Sequence, residues 1–143
     1  ESDDPYNLHR FVEAQDPVID QVKKELRSGR KQTHWMWFVF PQVAGLGKSW
    51  KAQRYAISSR AEAEAYLDHP ILGPRLRECT EIVNTIQGRS ANDIFGSPDD
   101  LKFRSSMTLF DAVAADSTLF RTALQQYYDN DPDQQTIQFL SDE

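Results

Sequence analysis

Apolar residues recur along this chain at intervals of three and four, the period of a helix with one face in a core. In "LHRFVEAQ" they are Leu8, Phe11 and Val12, and in "DPVIDQVKKELRSG" they are Val18, Ile19, Val22 and Leu26. The second segment carries its own punctuation: Asp16 as N-cap, Pro17 at the first helical position and Gly29 past the end. "SSRAEAEAYLDHP" offers a capping box, Ser59 with Glu62. "HPILGPRLRECTEIVNTIQG" repeats the helical spacing through Leu76, Cys79, Ile82, Val83 and Ile86, closed by Gly88. "SANDIFG" reads as one turn. In "SPDDLKFRSSMTLFDAVAAD" Ser97 is the expected cap, Pro98 the first position, and Phe103, Met107, Phe110 and Val113 or Ala114 the core face. "STLFRTALQQYY" and "DPDQQTIQFLSD" read as two further short helices.

Two stretches break the pattern. "THWMWFVF" is apolar on all sides, so it is a buried segment whose period does not separate helix from strand, and Pro41 ends it either way. Trp35, Met36, Phe38, Val39 and Phe40 are assigned to the core, leaving Trp37 one face away. "PQVAGLGKS" is a loop through Gly45 and Gly47, followed by a short helix in "SWKAQRYAI". With no repeat or linker, the expectation is an all-α fold, a single compact multihelical domain over residues 1–143 with its core at about 5–140.

Composition narrows the class. A chain of 143 residues buries roughly 68–70% of its unfolded surface, enough for a real core. The single cysteine, Cys79, has no partner for a disulfide, which fits a reducing cytoplasm. No run approaches the ~20 apolar residues that span a bilayer, and "ESDDPYNL" has no signal-peptide character, so a cytoplasmic location is expected. The net charge of −6 is unevenly spread. Residues 21–60 hold nine basic side chains against one acid, Glu25, while the rest holds seven basic and twenty-one acidic. Such a chain repels anions overall and concentrates them at one place.

The basic stretch contains the candidate chemistry. "GLGKS" resembles the end of a P-loop, but Gln42 stands where that motif needs its first glycine, and no strand pattern precedes it. Gly45 and Gly47 would let backbone amides approach an anion, with Lys48, Ser49 and Arg54 beside them. The plain alternative is a glycine turn and an ordinary helix cap. Trp37 and Trp50, each near cations, would stack on a nucleobase. His34 is a candidate acid or base near neutral pH, against the commoner role of a hydrogen-bonded shell residue. On the later helix, Lys102, Ser105 and Ser106 either line a polar cavity or permit close packing; Asp99 and Asp100 are either capping charges or carboxylates facing a pocket, with Asp100 the candidate at the reacting centre. No histidine pair joins a carboxylate, so neither a metal nor a cofactor is expected.

Four blocks, "LHRFVEAQDPVIDQVKKELRSGRKQTHWMWFVFPQVAGLGKS", "YAISSRAEAEAYLDHPILGPRLREC", "IFGSPDDLKFRSSMTLF" and "DQQTIQFL", together resemble domain-of-unknown-function family 1810 from Pro5 to Leu140. The resemblance implies a compact, multihelical bacterial domain and supplies no established reaction. Such proteins are often called calpastatins, a label for disordered, repeated segments that this unrepeated, core-rich chain does not fit. A looser resemblance, through "KAQRYA" and the helix with Asp100, Lys102, Met107 and Phe110, is to the NADAR superfamily of small helical N-glycosidases acting on ADP-ribose-linked substrates. Where that superfamily has an acidic residue before the glutamine block, this chain has Ser49-Trp50-Lys51.

The leading expectation is therefore a protein that binds a phosphorylated nucleoside, ADP-ribose or a relative. N-glycosidic cleavage is the reaction such a site would serve, through Asp100 and His34. The alternative is a noncatalytic domain whose basic face docks an acidic protein partner. Single-stranded nucleic acid is a third class, disfavoured by the acidic remainder.

Overall fold

The computed structural model describes residues 3–143. Ten helices follow one another: α1 (His9–Gln15), α2 (Ile19–Arg27), α3 (Met36–Val39), α4 (Trp50–Arg54), α5 (Arg60–Asp68), α6 (Leu72–Thr85), α7 (Ala91–Phe95), α8 (Asp99–Val113), α9 (Thr118–Tyr128) and α10 (Gln134–Ser141). The all-α expectation holds, and the helices pack as one compact domain without a sheet among the described residues. A single parallel bridge joins Val43 to Ile57. It is made by the Ala44 N–H donating to the Ile57 carbonyl at 2.9 Å and the Ile57 N–H to the Gln42 carbonyl at 2.9 Å. This bridge closes the glycine loop and α4 into one excursion anchored at its base.

α8 is the central element. Phe103 and the run from Ser105 to Phe110 are all buried, and α3, α5, α7, α9 and α10 pack around it. Phe40, Phe95 and Phe103 form its aromatic contact, with ring centroids 4.9 Å apart for Phe40–Phe103 and 4.7 Å for Phe95–Phe103. Each such pair adds ~0.5–1.5 kcal/mol beyond area burial. The buried hydroxyls are mostly satisfied locally: Thr108 Oγ1 donates to the Arg104 carbonyl and accepts the Asp133 N–H, and Ser105 Oγ donates to the Leu101 carbonyl. Ser106 is fully buried, and its Oγ has no partner.

A buried guanidinium ties α1 to the α4 excursion and to α5. Arg10 donates all five N–H groups, to the carbonyls of Tyr6, Asn7, Arg54 and Ala56 and to Glu62 Oε2 at 2.9 Å. Glu62 Oε1 accepts the N–H and hydroxyl of Ser58. The capping box expected at α5 is thus half formed. Ser59 Oγ takes the Glu62 N–H, while the Glu62 carboxylate is drawn inward to the stronger cationic donor.

Two other expected helix starts are shifted. α2 begins at Ile19, with Val18 flanking it and no side-chain cap. Asp16 stays in the right-handed conformation at the end of α1, where a cap cannot form, and its carboxylate pairs with Arg75 at 2.9 Å instead. α8 begins at Asp99 with Pro98 outside it, and Ser97 makes no cap bond. "THWMWFVF" resolves into the single turn α3, with Trp35, Met36, Val39 and Phe40 buried and Phe38 half-buried.

Candidate functional site

The segment before α3 is positioned by a carboxylate. Glu25, buried at the end of α2, accepts the N–H groups of Gln32 and Thr33, the Thr33 hydroxyl and the Trp35 indole N–H, at 2.7 to 3.0 Å. Burial pushes its carboxyl up, but these donors outweigh that and hold it at about 2. The Lys31 N–H donates to the Ile94 carbonyl at 2.7 Å, fastening the same segment to α7. With Trp35 sunk into the core, the next turn leaves Trp37 half-buried at the surface.

Two ammonium groups from separate segments flank that ring, while a third, of Lys31, lies over the neighbouring Trp35. Lys51 of α4 lies 4.9 Å from the Trp37 ring centroid and Lys102 of α8 lies 5.0 Å from it. Lys102 also pairs with Asp99 Oδ1 at 3.3 Å, and Asp99 Oδ2 pairs with Lys31 at 2.9 Å. The Lys31 side chain is only 7% exposed and that of Asp99 18%. Two cations thus hold one carboxylate in a partly desolvated place, where their field is less screened than on an open surface.

Two cavities of about 410 Å³ each adjoin there, sharing Pro98 and Lys102 in their walls. One is lined by Lys31, Gln32, His34, Met36, Trp37 and Asp99, the other by Gln42, Leu46, Gly47, Leu101, Ser105 and Asp133. The fold therefore brings together His34, Trp37, Gln42, Gly47, Lys102 and Ser105 of the sequence-derived set. Gly45 lies at the loop tip, where φ +95° calls for glycine. Gly47 has a packing reason of its own, because a Cβ there would come within 2.6 Å of the Ala52 Cβ.

The remaining residues lie outside these cavities. Lys48 is exposed, and Ser49 caps α4 by accepting the Ala52 N–H. Trp50 is 69% exposed. Arg54 sits on another side, over Tyr55, in the wall of a shallow cavity with Tyr6, Arg10 and Glu62. Asp100 is turned towards α7, its carboxylate accepting the Leu101 N–H and, at 3.4 Å, Asn92 Nδ2. Ser106 lines neither cavity.

Sequence reasoning did not single out Lys31, Lys51 or Glu25 for the site, and it weighed Asp99 only beside Asp100. The available signal was the lone acid within nine cations, since an isolated carboxylate in such a stretch has a ready reason to be there. Thiol chemistry has no support: Cys79 is buried and its thiol is pushed up by that burial to about 12. Among the described residues no three His, Cys, Asp or Glu side chains converge to hold a metal ion, and no helix is long and apolar enough to cross a membrane.

Comparison with known proteins adds a family and a structure. Residues 5–140 match the family described as Protein of unknown function (DUF1810). No curated protein matches. The crystal structure of the conserved hypothetical protein Rv1873 from Mycobacterium tuberculosis is similar at 56% identity, with a TM-score of 0.95 over 96% of this chain and 99% of that one.

Proposed function

The chain belongs to the DUF1810 family, and for it we propose binding of a small phosphorylated ligand with a planar ring, of the phosphorylated nucleoside class that includes ADP-ribose, in the cleft beside Trp37. One observation carries the reading: Lys51 and Lys102 flank the half-buried Trp37 indole, and Lys31 joins Lys102 on the Asp99 carboxylate beside it. A phosphate supplies the missing negative charge, and lysine binds it as a point charge. A base stacked on Trp37 would contribute ~1–3 kcal/mol whatever its identity. The ring and the phosphate are accommodated by the two adjoining cavities, with Lys102 between them.

The reading is one of binding rather than turnover. Cleavage of an N-glycosidic bond needs a carboxylate or imidazole at the sugar. Of the carboxylates lining the two cavities, Asp99 is held by two ammonium groups and Asp133 accepts the N–H and hydroxyl of Thr136, while Asp100 faces α7. His34 is the titratable group left free to serve such a reaction. The second reading, a basic face that docks an acidic protein, is favoured by the exposed Trp50 between Lys48 and Lys51 outside the cavities.

Isothermal titration with ADP-ribose, AMP and inorganic phosphate tests the proposal. A nucleotide is expected to bind more tightly than phosphate alone, and Lys102→Ala and Trp37→Leu are each expected to weaken it by about tenfold or more, equal to ~1.4 kcal/mol. Absence of binding by all three probes, or unchanged affinity in both variants, would overturn it.

A further inference from the structure

A larger cavity lies elsewhere and has the opposite charge. It is a groove of about 910 Å³ walled by α5, α6, the start of α9 and the 114–117 connection. Its rim carries Glu64, Asp68, Glu81 and Asp116 against a single cation, Arg77. Asp116 is engaged by the N–H and hydroxyl of Thr118, but Glu64, Asp68 and Glu81 have no hydrogen-bond or ion-pair partner among the described residues. Several carboxylates elsewhere are paired: Glu78 with Lys23, Asp16 with Arg75, Asp131 with Arg104. Arg77 is not aimed at them either, donating to the Leu67 carbonyl at 3.2 Å. The floor is apolar, formed by buried Leu67 and Phe120 and half-buried Leu119 and Val113.

We propose that this groove docks a short amphipathic basic helix of a partner protein, its lysine or arginine side chains on Glu64, Asp68 and Glu81 and its apolar face on Leu67, Leu119 and Phe120. Charge complementarity selects the occupant. A simple cation would satisfy the rim and leave the floor wet, whereas an apolar segment would cover the floor and desolvate three carboxylates without a partner. Only a segment with both characters meets both surfaces. The dimensions agree. Along α6 the lining runs from Arg77 to Asn84, ~10 Å at 1.5 Å per residue, about the length of two helical turns. Glu64 and Asp68 are one turn apart on α5 and present their carboxylates on one face, the spacing that a second helix with basic residues at i and i+4 would match.

The test uses the full chain and a short lysine–leucine amphipathic helical peptide, read by fluorescence anisotropy. Spermine and the corresponding glutamate–leucine peptide are the comparators. Binding of the lysine–leucine peptide is expected to weaken by about tenfold in the Glu64→Gln, Asp68→Asn, Glu81→Gln triple variant. It should not change in a control of equal charge, Glu13→Gln, Asp20→Asn, Asp142→Asn, with circular dichroism reporting that both remain folded. Three results each overturn the proposal. They are equal weakening in the control, displacement of the peptide by spermine at comparable concentration, and binding of the glutamate–leucine peptide with the same affinity.

Discussion

The cleft at Trp37 and the groove between α5, α6 and α9 are both charged concavities, yet they are built in opposite ways. In the cleft the charges are held: Lys31 and Lys102 grip Asp99, and the segment bearing Lys31 and Trp37 is fixed by a carboxylate with four hydrogen bonds. In the groove Glu64, Asp68 and Glu81 are exposed and unpaired. Preorganised charge suits a small ligand, because little ordering remains to be done on binding. Loose charge over an apolar floor suits a partner that brings its own order. If this contrast is right, disturbing the supports of the cleft costs folding energy, and disturbing the rim of the groove costs almost none.

The largest effect is expected at Arg10. Arg10→Leu strands Glu62 as a buried charge and releases the Arg54 carbonyl at the end of α4, the helix that delivers Lys51. Removing one partner of a buried pair costs ~3–5 kcal/mol, measurable as a lower urea midpoint. Glu25→Gln comes next. The Glu25 carboxyl sits at about 2 when folded and near 4.5 when free, so its contribution of roughly 3 kcal/mol is complete above pH 4.5 and is lost as the pH falls towards 2. Urea titrations across that window should show a steeper loss of stability in the native protein than in the variant, where the remaining slope belongs to carboxylates such as Asp4, Asp93 and Asp116. Gly47→Ala forces the new Cβ against Ala52 and is expected to cost ~1–3 kcal/mol by overpacking, with a lowered melting temperature. Smallest of all, Glu64→Gln or Glu81→Gln should shift stability by less than ~0.5 kcal/mol. A larger loss there would mean that the groove carboxylates are structural and would erase the comparison.

Most of the helices were legible because their cause is local. The stripe of Val22 and Leu26, the run of Leu76, Cys79 and Val83, and the Phe103, Met107, Phe110 face follow from period alone, and all are buried. Trp35 and Trp37 fall on different faces only because the structure makes that segment a helical turn, which its period left open. The charges around Trp37 were not legible, since their cause is tertiary. Asp99 and Asp100 are neighbours in a helix, about 100° apart around its axis. Which of them meets Lys31 depends on how α8 is rotated against α3 and α7, a consequence of where Phe103 packs. Ser105 and Ser106 show the same limit: adjacent and chemically identical, one lines a cavity and the other is enclosed. Arg10 was invisible because a buried arginine reads as a surface one until the Arg54 and Ala56 carbonyls, 44 and 46 residues away, are brought to it.

The enclosed thiol of Cys79 has a practical use. A thiol-specific reagent in the medium meets no thiolate while α6 keeps its place, so each labelling event marks a moment when the molecule has opened. Because the chain has one cysteine, the labelling rate is a clock for a single event rather than an average over several sites. Run in the presence of a peptide on the groove or a nucleotide at the cleft, the clock slows only when the added molecule prefers the closed form. One thiol thereby reports on occupancy at either site.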